Sequence, residues 1–385
     1  MPTTTAVSAH VVESIRARFP ALAGRTIRLD GPAGSQIPRE VIESIAGYLA
    51  TCPANLGGVF AESLAAAQLV HQARVRCAAF FGTADRDEVG FGLNASTVNA
   101  AMVALAAATM SVGDEVVISA LDHDASVLPW RRAAAEHGLV IRMVGLCDDG
   151  HLDMDKLRTI INRRTRVVAV PYAANATGTA VDVAEVTRLA HAAGALAWLD
   201  ATHIAPHEPL RVCELDVDVA FCSAYKFFGP HLGLYYARCE LVAAWSRGTP
   251  GAGLESGTPP LESLAGLVAA FDYLDDVGWQ FIASHERALG EQFLEGVPES
   301  WKVIGLPTMD GRTPTFALTL PGSQPVDLAR AFAERGIAVG AGSFHAPTLF
   351  DTLGLREGAV RIGFLHYNTG AEVDSALKAL ADLAG

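Results

Sequence analysis

Residues 222–233 read CSAYKFFGPHLG. Its lysine, Lys226, stands at the end of the apolar run VDVAFCSA, among small and aromatic neighbours, with a glycine-bearing loop after it. An ordinary lysine at a strand end is a solvated charge. Upstream, LAWLD (196–200) is a second strand of buried type, and it delivers a carboxylate, Asp200, to its C-terminal end. An amine and a carboxylate at neighbouring strand ends, in a chain that alternates strand and helix, are what a pyridoxal phosphate (PLP) site needs. The amine forms the Schiff base, and the carboxylate keeps the pyridine nitrogen protonated so that the ring accepts electrons.

The pattern around this stretch supports such a site. Seven apolar segments, EVGFGL, EVVISA, LVIRMVGL, RVVAVPYA, LAWLD, VDVAFCSAYK and LGLYYAR, succeed one another from about residue 88, most of them with helical stretches between. Strands this apolar, joined by helices, predict a mostly parallel sheet covered on both faces. Ligands of such sheets bind outside the C-terminal strand ends. The Gly/Pro-rich segment 247–262 then breaks the alternation. After it, TPTFALTL, DLARAFAERG, IAVGAGS and AVRIGFLHYNT predict a smaller α/β unit. The expected organisation is a segment 1–27 packing with the small domain, a large domain 28–250 and a small C-terminal domain 251–385.

The composition fits this reading. Half of the 385 residues are hydrophobic and 18% are charged, as in a well-packed enzyme. A formal net charge of −13 argues against a nucleic-acid or anionic-membrane surface. Six cysteines, at 52, 77, 147, 213, 222 and 239, form no CxxC pair and no metal-ligand spacing. Reduced, buried thiols and an N-terminal stretch without a signal peptide's apolar core point to the cytoplasm. The longest apolar stretch, AAMVALAAATM, is too short to span a bilayer.

Other candidates fall at strand ends too. NAST (94–97) lies where a strand meets a helix, so the N–H groups of Ala95 and Ser96 form an anion site favoured by the helix dipole. Ser223 and Tyr225 are placed to supply hydroxyls to the same phosphate. His123, in the loop after EVVISA, is placed to stack on a planar ring and exchange protons near neutral pH. Asn175 and His203 are candidates for the cofactor's phenolic oxygen. Arg361 is a lone cation in an apolar strand, and its planar fork suits a substrate carboxylate.

With these residues in place, the chain from about residue 28 onward resembles the fold-type I PLP enzymes of the class V aminotransferase group, and within them the cysteine desulfurase-like proteins. The resemblance rests on LDGPAGSQIP, ANLGG, LDHDASVLPW, NATG, DATHIAPH, CSAYKFFGPHLG, ESGTP and VRIGFLHYNT, in that order. It implies a Schiff-base lysine at Lys226, a pyridinium partner at Asp200, a stacking His123 and a carboxylate-binding Arg361. Desulfurases usually carry a glutamine at the His203 position. The resemblance also implies a homodimer with active sites at the interface, in which Thr258 of the ESGTP loop reaches the partner's phosphate.

One departure matters most. A desulfurase passes sulfur to a cysteine on a loop before the carboxylate-binding arginine, whereas VGAGSFHAPTLFDTLG here has no cysteine but His345, which joins Asn175 and Arg361 as a candidate for the substrate. All six cysteines precede residue 240, so an enzyme persulfide lacks an obvious thiolate. What remains is Cα deprotonation by Lys226, followed by elimination, transamination or racemisation. The expectation is a lyase cleaving the C–S bond of cysteine or an S-substituted cysteine. The alternatives are a desulfurase with an unexpected cysteine, an aminotransferase or epimerase, and a non-catalytic PLP-binding regulator.

Overall fold

The computed structural model describes residues 9–51, 53–245, 254–255 and 257–385. The chain enters through a helix, Ala9–Arg16, and a two-residue strand, β1 (Ile27–Arg28). Seven strands then build the main sheet: β2 (Val89–Gly92), β3 (Glu115–Ser119), β4 (Val140–Val144), β5 (Thr165–Pro171), β6 (Leu196–Asp200), β7 (Val219–Ser223) and β8 (Gly233–Ala237). Their order is β2-β8-β7-β6-β5-β3-β4. Strand β8 runs against both neighbours, and every other pairing is parallel. The expected mostly parallel sheet is therefore present.

Alternation along each strand decides what covers the sheet, because successive side chains leave on opposite faces. Val167 and Ala169 of β5 join Trp130, Trp198 and Phe221 in one core, on the side of the helices Ala95–Ala107 and Asp124–His137. Val168 and Val170 join Phe81, Phe227 and Leu267 in the other. Both faces are thus dry, which explains strands that read as continuous apolar runs. The helix Leu261–Val277 packs on the helices Arg39–Thr51 and Ala61–Phe81, so it stays with the main sheet. The next helix, Trp279–Gly296, packs against the last, Gly370–Leu383.

The C-terminal part holds β9 (Lys302–Ile304), β10 (Thr315–Thr319), β11 (Ile337–Ala338), β12 (Gly340–Gly342) and β13 (Ala359–Gly363). β12, β13, β10 and β9 form an antiparallel sheet in that order, and β11 pairs with β1. The segment IAVGAGS holds two short strands that join different sheets. The N-terminal segment is tied here as well: Arg16 bonds Glu372 at 2.6 Å, and Phe19 packs on Tyr367.

One close approach joins fold and site. A Cβ on Gly233 of β8 would lie 2.4 Å from the backbone carbon of Asn94, the cap of the helix Ala95–Ala107. Gly233→Ala must push this helix terminus away. Urea denaturation should register a loss of about 2–3 kcal/mol; an unchanged midpoint would mean that the approach tolerates a methyl group.

Candidate active site

The C-terminal ends of β5, β6 and β7 and the start of the helix Ala95–Ala107 enclose a cavity of about 580 Å³. Of the twelve site residues expected from sequence, nine line it: Ala95, Ser96, His123, Asn175, Asp200, His203, Ser223, Tyr225 and Lys226. Arg361, His345 and Thr258 do not. Thr258 is exposed, accepts from Asn55 Nδ2 at 3.3 Å and lines a larger neighbouring cleft of about 1070 Å³. That cleft shares Thr97 and His231 with the cavity.

Lys226 follows β7 in a single 3₁₀ turn, Ala224–Lys226. Its ammonium donates to the carbonyls of Pro32 at 2.6 Å and Ala33 at 3.1 Å, both in the loop LDGPAGSQIP. Ser35 of the same loop clamps the lysine turn from two sides: its amide and hydroxyl donate to Tyr225 O, and its Oγ accepts from Phe228 N–H. Burial strips water from the ammonium, the Arg361 charge adds repulsion, and Asp200 opposes both; the lysine pKa falls from 10.5 to about 7.

Asp200 ends β6 and is buried. Its Oδ2 accepts from the Ser126 hydroxyl at 2.7 Å, and its Oδ1 from Thr202 N–H at 2.9 Å. Burial raises the neighbouring Asp122 carboxyl to about 8, so at neutral pH Asp122 holds a proton and adds little negative charge. His123 caps the helix that carries Ser126. Its Nδ1 accepts from Ala125 N–H at 2.9 Å, which leaves the neutral ring's proton on Nε2. Burial, above all, lowers its pKa below 6.5.

The helix terminus at residue 95 differs from expectation in one detail. The Ala95 N–H is not free: it donates to Ser223 Oγ at 2.8 Å. Thr97 N–H is taken by the cap, Asn94 Oδ1. Ser96 N–H is the one left for an anion, with the Ser223 hydroxyl proton beside it.

Arg361 lies behind the cavity on β13. Its Nη1 donates to Asn175 O at 2.7 Å, its guanidinium stands 4.3 Å over the Phe344 ring, and burial lowers its pKa to about 10, leaving it charged at neutral pH. Asn175 Nδ2 donates to Phe344 O at 2.8 Å, while its buried Oδ1 has no partner. Phe344 and His345 both hold positive φ, 55° and 57°. His345 O accepts from Asp124 N–H at 2.6 Å, and the His345 and His123 rings lie 5.2 Å apart. His203 Nε2 meets Thr313 Oγ1 at 3.2 Å, and that hydroxyl donates to Gly178 O.

Sequence reasoning missed Ser126, Thr313, Phe344 and the two carbonyls that hold Lys226. Only Ser126 had a signal: it stands three residues after His123, on a shared helix face. Of the cysteines among the described residues, Cys77 and Cys222 are buried and Cys147, Cys213 and Cys239 exposed, and none lines the cavity. Cys52 lies outside the described residues.

Residues 27–376 match the family described as aminotransferase class-V. The chain belongs to the class-V aminotransferase family. It is 32% identical to a protein named probable cysteine desulfurase from Streptomyces coelicolor, with 96% of each chain covered. Among solved structures, it is similar to the apo cysteine desulfurase of Thermococcus onnurineus, with a TM-score of 0.91, 27% identity and coverage of 97% of this chain and 98% of that one. The Escherichia coli cysteine desulfurase CsdA gives a TM-score of 0.88 at 27% identity, with the same coverage. The fold-type I, desulfurase-like resemblance is borne out.

Asn175 ties Phe344 to the cavity wall. Asn175→Ala should raise hydrogen exchange at the Ala346 amide, now bonded to Ser343 O at 2.8 Å, about fivefold, the equivalent of one hydrogen bond of about 1 kcal/mol. Unchanged exchange would mean that the loop holds itself.

Proposed function

We propose that the chain is a PLP-dependent enzyme that cleaves the C–S bond of cysteine or an S-substituted cysteine by β-elimination. The observation that carries this reading is an amine, Lys226, and a carboxylate, Asp200, on one cavity, with the Arg361 cation behind it and none of the described cysteines on its walls. The donor set fits the cofactor. Ser96 N–H and the Ser223 hydroxyl would hold its phosphate, with Tyr225 beside them. Asp200 would keep the ring nitrogen protonated, and the His123 ring would lie against its face. Asn175, which keeps one free N–H and an unpartnered Oδ1, and His203 would border the phenolic oxygen. Bound PLP would supply an electron sink that makes the substrate Cα proton acidic.

The protein's own groups do the rest. Arg361 holds the substrate carboxylate by a planar, charge-assisted fork. Lys226 takes the Cα proton at Nζ, and its lowered pKa leaves a useful share of free amine at neutral pH. The electron pair of the Cβ–S bond leaves with sulfur, and His123, reached from solvent by way of His345, returns a proton to it. The same reading includes a homodimer. Its second copy would cover the exposed Leu56, Phe60 and Leu93 near the larger cleft and bring its Thr258 to this chain's phosphate site. It also includes a division into a large domain, 28–250, and a small one, 251–385, whose helix Leu261–Val277 packs back on the large domain, with 1–27 docked on the small domain, and a cytoplasmic location.

The desulfurase names of the relatives keep sulfur transfer through an unexpected cysteine as the second reading. Product analysis separates them. With L-cysteine and an S-alkyl cysteine, elimination yields pyruvate and ammonia, whereas desulfuration yields alanine with sulfide released only by a reductant. A PLP-binding regulator would give no turnover at all. Lys226→Ala should abolish activity, and wild-type turnover in that variant would overturn the reading. Arg361→Ala should raise KM with cofactor content intact; loss of cofactor would mark a structural arginine instead.

A pH test follows from Lys226. Its amine is protonated below about pH 7 and free above it. The rate of PLP incorporation into apo-protein should therefore rise with pH and level off above an inflection near 7, not near 10.5. In Arg361→Ala the inflection should move up, because a repelling charge is gone. An inflection near 10 in the wild type would show an ordinary, solvated lysine.

A further inference from the structure

Arg312 stands in the loop before β10, is buried, and among the described residues pairs with no carboxylate. Burial lowers its pKa to about 10, so it is charged at neutral pH. Its donors go to backbone carbonyls instead. Nη1 donates to Leu306 O, Nη2 to Thr315 O at 2.6 Å and to Thr177 O at 2.8 Å, and Nε to Thr313 O at 3.4 Å. The guanidinium lies 4.4 Å over the Phe316 ring. A buried cation without an anionic partner is unfavourable, and for stability alone an apolar side chain of similar volume would serve as well or better. What the arginine adds is a planar set of donors in fixed directions.

Those directions join two elements that meet beside the cavity. Thr315 opens β10, and Ala317 of β10 is the register partner of Arg361 on β13. Thr177 lies in the turn after β5 that carries Asn175, and Asn175 O accepts from Arg361 Nη1 at 2.7 Å. The contacts therefore close a ring. One path runs from Arg312 through Thr315 and the β10–β13 ladder to the backbone of Arg361. The other runs from Arg312 through Thr177 and Asn175 to the Arg361 guanidinium. The turn has little slack: a Cβ on Gly178, at φ 77°, would lie 2.7 Å from both Thr313 O and Thr315 O. Two backbone bonds, Ala180 N–H to Gly311 O and Thr313 N–H to Gly178 O, dock its far limb. Among the described residues, Arg312 is the donor that reaches Thr177 O, on the limb nearer Asn175.

We propose that Arg312 is a positioning residue for the candidate active site: its fork fixes the Asn175 turn against β10 and thereby aims the guanidinium of Arg361. Asn175 O occupies Nη1, so Nη2 and Nε are the groups that a carboxylate meets, and their direction depends on where the turn stands. A lysine at 312 keeps the charge but has no planar fork to span the carbonyls of separate segments. The use of Arg361 for a substrate rests on the PLP reading above, whereas the coupling of Arg312 to Arg361 does not.

The test is nitrogen-15 NMR of the arginine side chains in the PLP-free, full-length protein, with the Arg361 Nε–H signal assigned by its loss in Arg361→Ala. Arg312→Lys should move or broaden that signal. Trp301→Phe removes the bond from Trp301 Nε1 to Leu380 O elsewhere in the same core, so it should lower Tm and leave the Arg361 signal in place. The proposal is overturned if the Arg361 signal of Arg312→Lys superimposes on the wild type, or if Trp301→Phe moves it equally. Should Arg312→Lys not fold, Arg312→Met takes its place and is judged by the same two criteria. In PLP-loaded protein with L-cysteine as the probe, Arg312→Lys should raise KM about tenfold and change kcat less than about twofold, whereas Trp301→Phe leaves KM unchanged. In an Arg361→Ala background, Arg312→Lys should change kcat/KM less than about twofold, because the group it aims is gone. Fully additive losses would overturn the claim that Arg312 acts through Arg361. An unchanged KM with a moved NMR signal would sink the assignment of Arg361 to the substrate and leave the coupling intact.

Discussion

An ammonium group kept from water is the constraint on which the rest of this structure depends. Moving the Lys226 pKa from 10.5 to about 7 corresponds to a cost on the order of 4–5 kcal/mol for the charged form. Whole domains are stable by only about 5–15 kcal/mol, so the site cannot hold that residue by itself. Three remote segments do so together. The loop 30–36 supplies the two carbonyls that replace water and the Ser35 clamp on the lysine turn. β6 brings the Asp200 charge that favours the ammonium, and β13 brings the Arg361 charge that disfavours it. Burial tips the lysine toward its neutral form, the Arg361 charge adds to that and the Asp200 charge opposes it, which leaves the lysine poised between protonation states.

That arrangement needs a rigid frame. The main sheet has dry faces on both sides, so β6 and β7 cannot shift without disturbing two cores at once. Asp200 is fixed by Ser126 and Thr202, and Ser126 rides on a helix that His123 caps. The cap, the Asp200 carboxylate and the sheet thus belong to one connected set of bonds.

What could be read in the sequence follows from the same geometry. A parallel sheet sends every strand's C-terminal end to one edge, so a polar residue after an apolar run declares its own position. Asp200, Ser223, Lys226 and Asn175 were legible for that reason. Thr313, Phe344 and Arg312 were not, because their roles arise where segments some 110–170 residues apart touch: Thr313 on His203, Phe344 on Asn175, Arg312 on Thr177. No local pattern records such meetings. Ala95 illustrates a smaller failure, since a helix start promises free N–H groups but not which of them a neighbouring strand claims first.

The loop before β13 bears on the choice between elimination and sulfur transfer. A residue that accepts sulfur from a substrate and hands it on must leave the cavity between the two events, so its loop has to swing. Here the loop is tied down. Phe344 O is bonded by Asn175, His345 O by the Asp124 amide, and the Phe344 ring lies against Arg361. Two consecutive non-glycine residues at positive φ store about 1–3 kcal/mol each, and they persist only where such contacts over-determine the backbone. A histidine held beside another histidine at the mouth of the site needs no excursion, because protons pass along hydrogen bonds whereas sulfur must be carried. A loop tied by these contacts and carrying no thiol fits the elimination reading, in which the leaving group is released directly to solvent.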